Sequence, residues 1–65
     1  MKIILNGKEI ETNSQNLAQL IAEKDIPEGK IAVEKNGEII SKSLLDISPV
    51  NENDAIEIIT FVGGG

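Results

Sequence analysis

The stretch Lys2-Ile3-Ile4-Leu5-Asn6-Gly7-Lys8-Glu9-Ile10-Glu11-Thr12 decides how this chain must begin to fold. An Asn-Gly pair between strand-like runs is the strongest short-range hairpin signal, because a type I′ turn holds both central residues at positive φ. Strands are therefore expected at about residues 2–5 and 8–12. The arrangement returns in Ile31-Ala32-Val33-Glu34-Lys35-Asn36-Gly37-Glu38-Ile39-Ile40, where Asn36-Gly37 predicts a second turn. The two hairpins form a crude echo, with no internal repeat behind it.

Between them lies a short helix. Asn16 is a good N-cap and Gln19, three residues on, completes a capping box. Leu17, Leu20 and Ile21 share one face at i, i+3, i+4. The helix cannot run far past Lys24, because Pro27 disfavours helical geometry at Ile26 and Gly29 adds a break. Glu23, Asp25 and Glu28 read as a solvated acidic side. After the second hairpin, Ser41 to Ile47 carries Leu44, Leu45 and Ile47 among polar residues and suits one helical turn plugging an end of the core. Ser48-Pro49 ends it. Asn51-Glu52-Asn53-Asp54 is a turn in which Asn53 suits positive φ. A last strand, dense in Ile, runs from Ala55 to Val62.

This order predicts an α+β fold with a mixed sheet of about five strands and one helix packed on one face. The first and last strands would pair in parallel at its centre, as in the β-grasp of ubiquitin-like proteins. A ferredoxin-like fold would need a second full helix, for which the chain is too short. Residues 1–62 are expected to form one domain, and 63–65 a flexible tail.

Composition narrows the function. A 65-residue chain with 40% apolar residues has a simple core and Phe61 as its one aromatic; a domain this small buries only roughly 60% of its unfolded surface. Eleven acidic and 6 basic side chains give a formal charge of −5. That argues against nucleic acid, whose binding rests on Lys and Arg at phosphates. It suits a basic partner surface, although an acidic balance also simply keeps a small protein soluble. Cys and His are absent, so disulfides, Cys/His zinc sites and the nucleophile–base pairs built on those residues are excluded. No catalytic residue, metal site or bound cofactor is expected, and the chain is not expected to be an enzyme. Asn6-Gly7 interrupts the start too early for a signal peptide, and no apolar run could span a membrane. The expected place is the cytoplasm, and the expected free state is a monomer.

The end of the chain carries the chemistry. Three of the 6 glycines are Gly63, Gly64 and Gly65. A strand is weakened by glycine and a turn needs only one or two. A string without Cβ atoms can enter a channel that any side chain would block. Fully extended, three residues reach about 10 Å. The one reactive group delivered is the Gly65 carboxylate, which needs activation, usually by adenylation with ATP, before a sulfur or amine nucleophile can attack it. A frayed end or glycine linker is the plain alternative, but the tail abuts a strand-like run and lacks the Ser of common linkers.

Alternation sorts the strand leading into that tail. Ile56, Ile58 and Thr60 point one way, and Glu57, Ile59 and Phe61 the other. Glu57 marks the solvent side. In the first strand Ile3 and Leu5 face the core, while Lys2 and Ile4 face outward. The expected docking patch is Ile4, Ile59 and Phe61, with Val62 beyond them, ringed by Lys2, Glu34 and Glu57. The alternative folds Phe61 back over the core edge.

The opening Met1-Lys2-Ile3-Ile4-Leu5-Asn6-Gly7, the middle Ile31 to Ile40 and the ending Phe61-Val62-Gly63-Gly64-Gly65 together resemble the ThiS family, the sulfur carriers of thiamine thiazole biosynthesis. The resemblance covers essentially the whole chain. A Gly-Gly end is common to ubiquitin-like carriers; a very short chain with a Phe-Val-Gly-Gly-Gly end is more specific. Two turns depart from the family. Ser41-Lys42 stands where Pro and a basic residue often follow Ile40, and Glu52-Asn53-Asp54 stands for Asp-Gly-Asp. The resemblance implies a cycle in which a ThiF-like adenylating enzyme uses ATP and magnesium to activate Gly65. A persulfide donor then yields a Gly65 thiocarboxylate, and thiazole synthase accepts its sulfur. Three rival functions stay open: a related carrier for molybdopterin or another sulfur-containing product, whose chains are usually longer; a ubiquitin-like protein modifier; and a plain binding module.

Overall fold

The computed structural model of the protein describes residues 1–27 and 29–61. Its strands are β1 (Lys2–Leu5), β2 (Lys8–Glu11), β3 (Ile31–Lys35), β4 (Glu38–Ile40) and β5 (Ala55–Thr60). Helix α1 spans Leu17–Glu23, and a 3-10 helix spans Lys42–Ile47. The five strands form one sheet in the order β2-β1-β5-β3-β4. β1 and β5 run parallel, and the other neighbours antiparallel. This is the mixed β-grasp sheet that the order of elements predicts.

Both hairpin turns follow from their dipeptides. Asn6 and Asn36 each have φ 51°, with Gly7 at 82° and Gly37 at 86°. Positive φ at both central residues is the type I′ requirement, and its twist matches that of the flanking strands. Asn53 also takes positive φ, at 70°, so Asn does there what Gly does elsewhere.

Helix α1 starts as its cap dictates. Asn16 Oδ1 accepts the Gln19 N–H at 2.8 Å. The reciprocal half is shifted by one residue: Gln19 Oε1 accepts from the Gln15 N–H at 2.8 Å. The C-terminus uses a device the sequence hides. Ile26 N–H donates to Ile21 O and Asp25 N–H to Ala22 O, with Asp25 at φ 56°. This is a Schellman stop with Asp in the left-handed position that Gly usually takes.

The core lies between α1 and one face of the sheet. Leu17, Leu20 and Ile21 meet Ile3, Ile31, Val33, Ile56 and Ile58, all buried. Each such side chain contributes about 1.5–3 kcal/mol on burial, and Leu20→Ala would cost about 2–5 kcal/mol. Only Leu45 of the 3-10 helix is buried; Leu44 and Ile47 are exposed. The plug expected from three apolar residues is one, because at three residues per turn Leu44 and Ile47 share one face and Leu45 lies on another.

Glu23 and Asp25 are exposed as read, and Glu28 lies outside the described residues, but Glu23 also has a structural part. Its Oε1 accepts the Thr12 hydroxyl at 2.5 Å and the Ser14 hydroxyl at 2.6 Å. These two bonds tie the loop after β2 to the helix and hold the Glu23 carboxyl below its usual range, the Ser14 bond first and the Thr12 bond second. β5 stops at Thr60, short of the predicted Val62, although Phe61 N–H still donates to Lys30 O at 2.8 Å.

Candidate functional site

β5 is the strand from which the tail departs, and it sits at the centre of the sheet. On one flank, Ile4 pairs with Ala55 and Leu5 with Ile56. On the other, β3 follows it from Ile31↔Thr60 to Lys35↔Ile56. Both Asn-Gly turns also grip it. Asn6 N–H donates to Ile56 O at 2.9 Å, and Asn6 Oδ1 accepts the Ile58 N–H at 2.8 Å. Asn36 N–H donates to Ala55 O at 2.7 Å, and Asn36 Oδ1 accepts the Ala55 N–H at 2.9 Å. The sequence shows these residues only as turn formers. Their side chains extend the ladder on β5 where the neighbouring strands run out, Asn36 at its start and Asn6 towards the end that leads to the tail.

Alternation along β5 is as read. Ile56 and Ile58 are buried, while Glu57 and Ile59 are exposed. Ile59 is 51% and Phe61 57% exposed, so Phe61 does not fold over the core edge. The register arranges the outer face in rows. Phe61 lies beside Lys30, bonded through the backbone. Ile59 faces Ala32, and Glu57 faces Glu34, which in turn faces Ile39 of β4. Ala55 lies beside Ile4, which faces Glu9 of β2.

Ile4 is exposed, but the structure does not bring it against Ile59. Its neighbour Ala55 is four residues back along β5, about 13 Å at the usual strand rise. Lys2 is further from the tail still, and is engaged with Glu9 at 3.1 Å. That hydrogen bond and the Glu9 charge raise the Lys2 ammonium above its ordinary pKa. The apolar part nearest the tail is therefore Ile59 and Phe61, with Ala32 beside them. Ile39, 73% exposed, joins the face from β4 and was missed. The adjacent pair Ile39-Ile40 gives no alternation to choose between; only the register, with Ile40 opposite Val33, settles it.

A cleft of about 420 Å³ opens beside Phe61, lined by Pro27, Gly29, Lys30, Thr60 and Phe61. The other residues assigned to the site, Val62, Gly63, Gly64 and Gly65, lie outside the described residues. Among the described residues, no group of three or more Asp, Glu, His or Cys side chains could hold a metal ion. No described helix is long and apolar enough to cross a membrane.

Comparisons with known proteins bear on this arrangement. The sequence pattern of the ThiS family matches residues 3–65. The sulfur carrier protein ThiS of Bacillus subtilis is 35% identical over 63 residues, covering 94% of this chain and 96% of that protein. The thiazole synthase of Paramagnetospirillum magneticum is 39% identical over 66 residues; all of this chain is matched, but it spans only 20% of that longer protein. Among solved structures, the thiamine biosynthesis protein ThiS of Geobacter metallireducens superposes with a TM-score of 0.85 at 29% identity, covering 100% of both chains.

Proposed function

Since the chain belongs to the ThiS family of small sulfur carrier proteins, we propose that the Gly65 carboxylate is the group on which it carries sulfur. The carrier is a substrate of its partners and not itself a catalyst. The observation that supports this assignment most directly is the position of β5. The central strand, held on both flanks, leads straight to Phe61, and the sequence then supplies one Val and three glycines.

The cycle starts with a ThiF-like adenylating enzyme. Its ATP, with magnesium, is attacked by a Gly65 carboxylate oxygen at the α-phosphorus; pyrophosphate leaves and an acyl-adenylate forms. The terminal sulfur of a donor enzyme's persulfide attacks the acyl carbon and expels AMP. A thiol then cleaves the resulting acyl disulfide, leaving a thiocarboxylate on Gly65 and a disulfide between the thiol and the donor. Gly63 and Gly64 serve as a tether that passes where side chains would not. Residues 63–65 act as the tail of the domain of residues 1–62. Ile59 and Phe61, with Val62 and more distantly Ile4, are the surface that the partners dock on. ATP and magnesium belong to the activating partner. Thiazole synthase is the acceptor; the similarity to a segment of a protein of that name favours it over a molybdopterin product. The carrier works in the cytoplasm and is monomeric when free.

Intact-mass measurement tests the proposal. Incubation with the adenylating enzyme, ATP and a sulfur donor should exchange one oxygen of the chain for sulfur. Deletion of Gly65 should abolish the exchange and leave the circular dichroism spectrum unchanged. A deletion variant that still gains sulfur would refute the assignment of Gly65.

A further inference from the structure

The outer face of the sheet holds an uncompensated charge pair. Glu34 and Glu57 lie directly opposite each other on β3 and β5, and like charges in that position destabilise a sheet. Four carboxylates of the described residues have a cation beside them, as in Lys2–Glu9 at 3.1 Å and Lys35–Asp54 at 3.7 Å, but only Glu34 and Glu57 lack one while facing another carboxylate across paired strands. Among the described residues, no ion pair includes Glu34 or Glu57. The pair is set in an apolar frame. Ile39 flanks Glu34 on β4, and Ile59 with Ala32 forms the next row towards the tail.

We propose that the facing carboxylates of Glu34 and Glu57 receive an arginine side chain from the adenylating enzyme, docked over Ile39, Ala32 and Ile59; this rests on the carrier function proposed above. A guanidinium suits the place better than an ammonium. It carries five donors in a planar fork, enough for two carboxylates, and it is weakly hydrated. The apolar neighbours exclude water when a partner closes over them, which strengthens the charge contact. The chain's formal charge of −5 draws a basic surface towards it. The grip also fixes the geometry of delivery. It clamps the strand that leads to the tail, and four residues beyond Phe61 can carry the Gly65 carboxylate no further than about 14 Å from that clamped end.

Charge reversal at one member gives stability and binding opposite signs. Glu57→Lys supplies Glu34 with an internal partner, so the free chain should melt at a higher temperature than the wild type. The same variant should bind the ThiF-like enzyme of its own source at least tenfold more weakly. Glu57→Gln and Glu34→Gln should each weaken binding about tenfold and flatten its dependence on salt. Calorimetric titration and melting curves read both quantities. Variants that bind as tightly as the wild type, with the same salt dependence, would overturn the proposal. So would weakened binding to thiazole synthase with the adenylating enzyme unaffected. The control is sulfur loading of the wild type: if the wild type never gains sulfur, the carrier function fails, whereas normal loading with unaffected variants removes only the arginine receptor.

Discussion

The two hairpins are built on the same dipeptide and carry different loads. Asn6 and Asn36 share φ 51°, and each bonds β5 through backbone and side chain. Asn6 spends its side chain on a single acceptor bond, to Ile58 N–H. Asn36 uses both ends of its amide. Its Oδ1 accepts from Ala55 N–H, and its Nδ2 donates to Asp54 Oδ1 at 2.9 Å. Asp54 also accepts from Asn51 N–H at 2.8 Å and faces Lys35 Nζ at 3.7 Å. The first hairpin is joined to the rest by the pairing of β1, by Asn6, by backbone bonds of Lys2 to Asn53 and Glu52, and by the Glu23 strap. The second is joined through a buried carboxylate that gathers a turn, a strand and a lysine. Identical local chemistry thus does not imply identical energetic weight.

Asp54→Ala attacks this difference most strongly. It removes the acceptor of the Asn36 Nδ2 and of the Asn51 N–H and leaves Lys35 Nζ with Pro49 O alone, at a site where Asp54 is only 7% exposed. The expected loss is about 3 kcal/mol. In a domain of this size that lowers the melting temperature by roughly 12–24 °C. A loss of under a few degrees would mean that water replaces the carboxylate and that the two hairpins are equivalent after all. The next test compares the turns directly. Glycine keeps the positive φ and removes only the side chain. Asn36→Gly should cost about 2 kcal/mol, since it loses two bonds, one of them to a carboxylate. Asn6→Gly should cost about 1 kcal/mol. Equal costs would erase the distinction.

The neighbouring glycines sharpen it from the other side, because there the two turns should behave alike. Gly7 and Gly37 have φ 82° and 86°, and a Cβ at either would meet nothing within 4 Å. Only backbone strain is at stake. Gly7→Ala and Gly37→Ala should each destabilise by about 1 kcal/mol, as read from chemical denaturation. Unequal losses would show that one turn is strained by its surroundings.

What the sequence made legible was local. The Asn-Gly turns, the Asn16 cap and the alternation of Ile56 to Phe61 each depend on residues within a few positions. So the strands, the helix and the outward side of Ile59 could be read before the structure. Phe61 stays open between two readings until its exposure decides. The parallel pairing of β1 with β5 is expected from the β-grasp arrangement and not from any local pattern. The side-chain bond from Asn6 to β5 spans 52 positions, and no local pattern encodes it. The same holds for the register that sets Ile4 beside Ala55 and away from Ile59. Ile39 escapes the sequence because Ile40 beside it is equally apolar. Asp25 was missed because Asp is a minority choice for a left-handed helix stop. For the tail the position is reversed: its side-chain-free character is visible in composition alone, and the geometry of β5 adds only where it starts.

The smallest effect concerns the strap of the first hairpin and depends on pH. Glu23 is held below its ordinary value of 4.5 by the Ser14 and Thr12 hydroxyls. A carboxyl depressed on folding adds stability above its unfolded pKa, and the gain is lost as pH falls through the folded value. The side chain is 37% exposed, so solvent screening keeps the contribution small. Glu23→Gln keeps an acceptor for the hydroxyls and removes the titration. Wild type should therefore melt slightly above Glu23→Gln at pH 7, and the gap should close as the pH falls from about 5 to below 4. Ser14→Ala should narrow the same gap at neutral pH, because it removes the larger cause of the depression. A gap that stays constant across this range would mean that the carboxylate is not what the hydroxyls hold, and that packing is what joins the first hairpin to the helix.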